Sequence, residues 1–229
     1  MGNLYLYLTL FTLLGPLVLS FDKKVAFYKS WKHLFPGIFI MSLIFISWDV
    51  AFEHYDIWGF NDDYLIGIRF FGLPIEEWLF FIVVPYACVF IYACLNAYIS
   101  CDVLEKFYRP FLWLLVAGLF ITGVLFYNRL YTSITFLGTA GYLFYHLINR
   151  SYWLSRFLLA YLVSLIPFLL VNGVLTGWQI ENEIVWYNSS HILNLRIGTI
   201  PVEDAIYNLF MLLITVHVYE NLMRRSQGK

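Results

Sequence analysis

The sequence predicts an all-α membrane protein with about seven transmembrane helices, arranged as two parallel three-helix repeats joined by a linking helix. The 229 residues are 61% hydrophobic and 13% charged, against about 45–50% apolar and about 25% charged residues in soluble domains. Apolar runs close to the roughly 20 residues needed to cross a bilayer recur along the whole chain. Two short acidic motifs repeat at a fixed spacing, which indicates a duplication. No basic cluster favours nucleic acid as a partner.

The first four predicted helices follow from the apolar runs in order. Residues 4–21 lack a positively charged leader and a small-residue cleavage site, so we expect a retained helix and not a signal peptide. Residues 35–52 open with Pro36, which a first turn tolerates because its missing N–H would have no partner there. Residues 74–98 begin at the first acidic motif and contain a proline that predicts a kink. Residues 110–127 form the linking helix and carry no charged side chain.

The last three helices complete the count, and the basic residues test it. Residues 130–148 are rich in Gly and Thr, which suits close helix contact, residues 153–175 form the sixth span, and residues 201–219 begin at the second acidic motif. Seven spans place 11 of the 14 Lys and Arg residues on one side of the membrane and 3 on the other. By the positive-inside rule, the C-terminus is cytoplasmic and the N-terminus lies outside.

The repeat is carried by two motifs and by residues upstream of each. The motifs are 201 − 74 = 127 positions apart, and they read Pro74-Ile75-Glu76-Glu77 and Pro201-Val202-Glu203-Asp204. The same offset relates Asn61 to Asn188 and Arg69 to Arg196. Three helices end on the opposite side from where they begin, so a linking helix must return the chain before a parallel second copy. We therefore predict repeats at 1–100 and 129–229, a linking helix within 101–128, and a pseudo-twofold axis that brings both motifs to one side.

Two interpretations of the motif acids are open at this point. They are either ordinary first-turn carboxylates, favoured by the helix dipole, or a single site formed by Glu76, Glu77, Glu203 and Asp204. Duplication of both acids with the upstream Asn and Arg favours the single site. Clustered carboxyl groups at a dry boundary cannot all ionise. A protonated acid beside an ionised base is the pairing that general acid–base catalysis requires.

Aromatic side chains accompany the acids, and an aromatic face stabilises a nearby cation by roughly 0.5–2 kcal/mol. The candidates for this role are Trp48, Trp78, Phe80, Phe81 and Tyr207. An interfacial aromatic belt explains the same residues when each is taken singly. An acid, a base, aromatic faces and access from the lipid together suit protonation of a polyene, closure of the carbocation and loss of another proton.

The two motifs, with Trp58-Gly59-Phe60-Asn61 ahead of the first, resemble the membrane-integral carotenoid lycopene cyclases over nearly the full chain. In that family two half-proteins are separate subunits in some bacteria and fused in others, and fungi fuse them to a phytoene synthase. This chain looks like the fused bacterial form without the synthase. The resemblance implies that Glu76, Glu77, Glu203 and Asp204 are catalytic. It also implies a bacterial inner-membrane enzyme that isomerises lycopene, a lipid-soluble C40 carotenoid, through γ-carotene to β-carotene without net redox change.

Cofactor, metal and partner expectations follow. No Gly-x-Gly-x-x-Gly motif occurs, so we expect no flavin and no other cofactor. Asp49 and Glu53 are four residues apart and could hold a Mg²⁺-diphosphate as in prenyltransferases, but the second repeat lacks the matching acids, so no metal is predicted. A membrane prenyltransferase-like enzyme and a proton-coupled transporter remain the alternative functions. Membrane lipid is an expected partner, and a homo-oligomer or neighbouring carotenoid enzymes are left open.

Supporting roles are predicted for a further set of residues: Asp49, Asn61, Arg69, Pro74, Asn188, Arg196 and Pro201. Each arginine stands five positions before its motif proline, as a solvated loop residue or as a cation that keeps one acid of each pair ionised. The asparagines could brace the loop by bonding its backbone. Asp49 is an intramembrane ionisable residue, either a proton relay or a structural hydrogen bond to the other repeat.

Overall fold

Seven α-helices run through residues 2–228, the part of the chain that the computed structural model describes. They are α1 (Leu4–Leu19), α2 (Trp31–His54), α3 (Ile75–Tyr98), α4 (Tyr108–Leu125), α5 (Leu130–Ile148), α6 (Leu154–Leu175) and α7 (Val202–Ser226). Each coincides with one of the predicted apolar runs. The third and seventh helices begin one residue later than predicted, because Pro74 and Pro201 keep extended backbones with ψ of 150° and 140°.

Within the described residues, five helices are long and apolar enough to cross a membrane, namely α2, α3, α4, α6 and α7. Helix α1 is apolar but shorter, with 16 residues. Large apolar side chains cover the outside of the bundle: Phe11, Phe39 and Leu114 are 75%, 63% and 74% exposed. Such a surface is unfavourable in water and fits contact with lipid. The chain is a helical membrane protein.

Helix packing follows a regular scheme. Helix α1 packs on α3 and α5 packs on α7, while α2 packs on α7 and α6 packs on α3. These contacts form two equivalent pairs when each helix is exchanged for its counterpart in the other half. The α1–α3 contact corresponds to α5–α7, and the α2–α7 contact corresponds to α6–α3. Helix α4 has no counterpart in the scheme and packs mainly on α5. Because α2 and α6 each lie against the opposite half, neither half has a core of its own.

Six short strands add a feature that the all-α prediction did not contain. They are β1 (Trp58–Phe60), β2 (Arg69–Phe70), β3 (Leu73–Pro74), β4 (Val185–Tyr187), β5 (Arg196–Ile197) and β6 (Ile200–Pro201). Strand β1 pairs with β4, β2 with β3, and β5 with β6, all antiparallel. The strands lie in the α2–α3 and α6–α7 connections. In the partly buried β1–β4 pair, the strand bonds satisfy backbone N–H and C=O groups that would otherwise lack partners, whereas β2 and β5 are exposed.

Candidate active site

The strand pair β1–β4 joins the two long connections at the centre of one end of the bundle. Gly59 lies opposite Trp186, its counterpart at the 127-residue offset, and Trp58 and Phe60 lie opposite Tyr187 and Val185. A Cβ atom on Gly59 would come within 2.4 Å of the Trp186 ring, so only glycine fits there. The two connections thus meet at residues that are equivalent at the 127-residue offset.

Each acidic motif follows a two-residue hairpin that its arginine braces. Arg69 Nη1 donates to the carbonyl oxygen of Gly72 at 2.7 Å, and Arg196 Nη1 donates to that of Thr199 at 2.5 Å. Arg69 also forms an ion pair with Asp62 at 2.7 Å. Both guanidinium groups are therefore placed on the exposed loops, and in the described residues neither bonds a motif carboxylate.

The motif asparagines brace the same connections. Asn61 Oδ1 accepts a hydrogen bond from the backbone N–H of Asp63 at 3.1 Å. Asn188 Oδ1 accepts the equivalent bond from Ser190, also at 3.1 Å. Each side chain closes a turn just after a strand of the β1–β4 pair, which is the local bonding expected of asparagine.

The first acid of each motif is bound to the connection that precedes it. Glu76 Oε1 accepts from the backbone N–H of Ile66 at 2.7 Å, and Glu203 Oε1 accepts from that of Leu193 at 2.7 Å. Thr132 also donates to Glu203 Oε1, at 2.6 Å. Both glutamates are fully buried, and their Oε2 atoms have no partner within residues 2–228.

The second acid of each motif lies in a different place. Glu77 and Asp204 line one cavity of about 50 Å³, which Asp49 also lines, and we call it the acid cavity. It lies at the end of the bundle where α1, α3, α5 and α7 begin and where α2 and α6 end. Glu76 and Glu203 do not line it. The structure therefore brings together Glu77, Asp204 and Asp49, and separates the other two motif acids from them.

On one side of the acid cavity, the buried carboxyl groups of Asp49 and Glu77 line the wall together. Tyr207 donates to Asp49 Oδ1 at 2.5 Å, and Tyr5 donates to Glu77 Oε2 at 2.5 Å. Two buried carboxyl groups side by side cannot both ionise without a large cost, which favours a proton on one of them.

On the other side, Asp204 is surrounded by donors. Tyr131 donates to Oδ1 at 2.8 Å, and Oδ2 accepts from Asn172 Nδ2 at 2.7 Å and from Tyr187 at 2.8 Å. Burial and the neighbouring Asp204 raise the pKa of Tyr187 well above its ordinary value, so this loop tyrosine keeps its proton and donates. Three donors around two oxygens fit an ionised carboxylate.

Two of the five predicted aromatic residues line the acid cavity. Phe80 and Tyr207 contribute to its wall. Trp48 packs behind Tyr207, with ring centroids 5.5 Å apart, and Phe81 is fully buried against Phe80. Trp78 lies on the opposite face of α3, in an apolar groove toward α2, and Trp48, Trp78 and Phe81 do not line the cavity.

Several polar side chains that line the acid cavity are not among the predicted site residues. They are Tyr5, Tyr131, Asn172, Tyr187 and Asn208. The two tyrosines that bond the second motif acids are 131 − 5 = 126 positions apart, one short of the repeat offset. A search allowing a one-residue shift would have paired them. Asn208 is 1% exposed and both polar atoms of its side chain lack partners in the described residues.

The two acids considered for a metal site have separate partners. Asp49 lies in the acid cavity, whereas Glu53 lies 3.7 Å from Arg69 at the hairpin. Within residues 2–228, no three His, Cys, Asp or Glu side chains are grouped closely enough to hold a metal ion.

Comparison with known proteins identifies the family. The sequence model of the family described as Lycopene cyclase matches residues 2–95 and 128–222, one segment in each half of the chain. The chain belongs to the lycopene cyclase family. The resemblance noted from the motifs is thereby confirmed, and both acidic motifs lie within matched segments. No curated protein and no solved structure matches the chain.

Family membership makes this chain a lycopene cyclase-type enzyme of carotenoid cyclisation that works on a carotenoid within the membrane. The residues between the matched segments, 96–127, contain α4. The helix without a counterpart in the packing scheme is thus also the one outside the family match.

Proposed function

We propose that the chain is a lycopene β-cyclase, which isomerises both acyclic end groups of lycopene to β-rings, through γ-carotene to β-carotene, without a cofactor. The observation that carries this proposal is the pairing inside the acid cavity. Two neighbouring buried carboxyl groups, Asp49 and Glu77, line the same cavity as Asp204, which is bonded only by donors. This is an acid and a base on two sides of one aromatic-walled cavity.

The cavity residues supply each step of the isomerisation. A proton carried by Asp49 or Glu77 is added to the terminal double bond, which leaves a tertiary carbocation. A second double bond of the same end group attacks that carbon, so the ring closes and the positive charge moves into the ring. Asp204 removes a ring proton and restores a double bond. One proton enters and one leaves, so the reaction has no net redox change.

The walls of the cavity suit a carbocation. Trp58, Phe60, Phe80 and Phe168 present rings to the space that the acids border. An aromatic face stabilises a cation by roughly 0.5–2 kcal/mol, and more where water is excluded. A water molecule would capture the carbocation as an alcohol, so the aromatic part of the wall helps to protect the product.

We assign the two motif acids of each half to different tasks. Glu77 and Asp204 act on the substrate together with Asp49, whereas Glu76 and Glu203 are positioning residues that hold the preceding connections. The hydrogen bonds from Tyr5 and Tyr131 fix the orientation of Glu77 and Asp204.

The proposed architecture completes this assignment. Seven spans form two parallel repeats, 1–100 and 129–229, around a linking helix within 101–128, in the inner membrane of a bacterium. The matching helix contacts and the strand pair at the 127-residue offset support it. With the C-terminus cytoplasmic, the acid cavity lies toward the outer face.

The function is tested by expressing the chain in bacteria that accumulate lycopene. The red acyclic pigment should be replaced by β-carotene, resolved by chromatography, and conversion of preformed lycopene in deuterated water should place one deuterium in each new ring. Unchanged lycopene, with the protein shown to be in the membrane, would refute the proposal. An Asp204→Asn variant is the matched inactive control, because asparagine keeps the size of the side chain but is a far weaker base.

A further inference from the structure

The acid cavity is continued toward the middle of the bundle by a second cavity between α3 and α6. The second cavity measures about 40 Å³. Phe80, Phe168 and Asn172 line both cavities, so only these side chains separate them. The space that begins at the acids therefore has an inward extension along one particular pair of helices.

A third, smaller cavity extends the same line. It shares Cys88 and Ser164 with the second cavity and reaches Tyr92. Tyr92 also lines an open bowl of about 1070 Å³ at the opposite end of the bundle. From Glu77 to Tyr92, α3 rises about 22 Å at 1.5 Å per residue. The three cavities thus follow the contact between α3 and α6, which we call the α3–α6 seam, through most of the membrane.

The walls of the seam suit hydrocarbon and do not suit ions or water. No charged side chain lines the second or third cavity. The hydroxyl of Ser164 is bonded to the carbonyl oxygen of Tyr161 at 2.9 Å, and the hydroxyl of Tyr161 to that of Ala205 at 2.7 Å. Apolar cavities of this kind remain dry, so the seam is not a water path that carries protons to the acids.

We propose that the α3–α6 seam is the binding channel for the polyene chain of the substrate. The proposal rests on the proposed function and specifies how the substrate lies: upright across the membrane, with one end group in the acid cavity and the other toward the cytoplasmic bowl. Three properties select this occupant, namely a row of separate cavities of about 50, 40 and 10 Å³ that starts at the acids, a wall without charged side chains, and a length comparable to the roughly 30 Å hydrocarbon core.

The channel must widen to admit the polyene, and both of its walls contain a proline. Pro85 lies in α3, and Pro167 lies in α6 where it lines the second cavity. A proline inside a helix removes one backbone hydrogen bond and allows bending. The larger apolar groove between α2 and α3 shares no lining residue with the acid cavity, so it does not lead to the acids.

An upright substrate presents one end at a time to the acids. The second ring can form only after the half-cyclised chain has left the seam and returned in the reverse orientation. The monocyclic product should therefore appear free in the membrane before the bicyclic product. Unlabelled γ-carotene added during the conversion of labelled lycopene should compete with the labelled monocyclic product and lower the label in the bicyclic product. Labelled bicyclic product that forms undiluted by that addition would overturn upright binding.

Occupancy of the seam is tested with Ala87→Phe, which fills the second cavity, against Ala117→Phe, the same change on the lipid-exposed face of α4. Both variants are also made in the Asp204→Asn background, where chemistry is stopped and the lycopene retained by purified protein reports binding alone. Ala87→Phe should lower retention and turnover by about tenfold or more, since a phenyl group overpacks the channel. Ala117→Phe should change neither by more than about twofold.

The outcomes separate the channel from the function. If the unmodified chain cyclises lycopene and Ala87→Phe retains and converts it as well as Ala117→Phe, the channel is refuted and the function stands. If the unmodified chain leaves lycopene unchanged, the function itself fails. Ser164→Leu fills the same cavity from α6 and replaces Ala87→Phe if that variant is lost from the membrane. If the Ser164→Leu variant retains lycopene normally, the channel is refuted as well.

Discussion

Asp49 and Asn172 lie near the ends of α2 and α6, and each lines the acid cavity beside the second motif acid of one half. The first half therefore pairs Glu77 with an acid, and the second half pairs Asp204 with an amide. An amide always donates through its nitrogen, whereas a carboxyl group donates only when protonated. In the proposed mechanism, this single difference between two similar side chains would make one half-site the proton source and the other the proton acceptor.

Asp49→Asn should stop catalysis and leave the fold intact. Asparagine can still accept from Tyr207 and can donate to Glu77, as Asn172 does to Asp204, but it carries no transferable proton. Turnover of lycopene should fall by about 10²–10⁴-fold, the usual contribution of general acid–base catalysis. The unfolding temperature in detergent should stay the same or rise. Activity within a few-fold of normal would show that Asp49 is not part of the proton source.

Glu77→Gln and Glu76→Gln should differ although the residues are adjacent. Gln at position 76 can still accept from the backbone of Ile66, so the connection is held and much of the activity should remain. Gln at position 77 cannot share a proton with Asp49, so turnover should fall by about 10²–10⁴-fold. The two variants are compared by the amount of lycopene that each converts at equal amounts of protein in the membrane. Equal loss in the two variants would return Glu76 to the catalytic group.

The elements themselves differ in how far the sequence predicts them. Apolar runs of the length of a bilayer predicted all seven helices, because a segment in hydrocarbon must satisfy its backbone internally. The strand pairs have two or three residues, too few for a period to be read. The motif acids were predicted from their repetition. The tyrosines that orient them were not, since Tyr5 meets Glu77 only through the packing of α1 on α3.

Gly59→Ala should destabilise the strand pair that joins the two connections. Its added Cβ would lie 2.4 Å from the Trp186 ring, so one strand must shift. We expect a loss of about 1–3 kcal/mol, as for other overpacked sites, measured as a lower unfolding temperature in detergent. Gly118→Ala on α4 is the control, because nothing lies within 4 Å of that position.

A second substitution tests the cause of that loss. Trp186→Leu removes the ring that the new methyl group would meet. In the Gly59→Ala, Trp186→Leu double variant, the alanine should therefore cost less than it does beside tryptophan. Additive effects of the two changes would show that contact with the ring is not the reason.

At the scale of the whole molecule, the two halves are interleaved. Helix α2 lies against α7, and α6 lies against α3. The acid cavity takes Asp49 and Glu77 from the first half and Asp204 from the second. A half on its own would expose the helix faces that the other half covers, and it would hold only part of the acid–base set.

Cutting the chain between Ser100 and Cys101, both exposed in the connection between α3 and α4, should leave an active pair. Residues 1–100 and 101–229 expressed together should associate and convert lycopene, because the contacts between α2 and α7 and between α3 and α6 do not depend on the connection. Each fragment alone should be inactive. Pigment analysis and co-purification with a tag on one fragment measure the result. Activity of either fragment alone would contradict a cavity shared between halves.

The pairing of Gly59 with Trp186 has a historical consequence. A residue on a twofold axis meets its own copy, so two identical subunits would bring glycine to glycine or tryptophan to tryptophan. A ring lying across a bare backbone requires two subunits that already differ at this position. If the halves descend from a symmetric dimer, their sequences had to diverge at this position before this contact could form. The same divergence permits an acid in one half and an amide in the other.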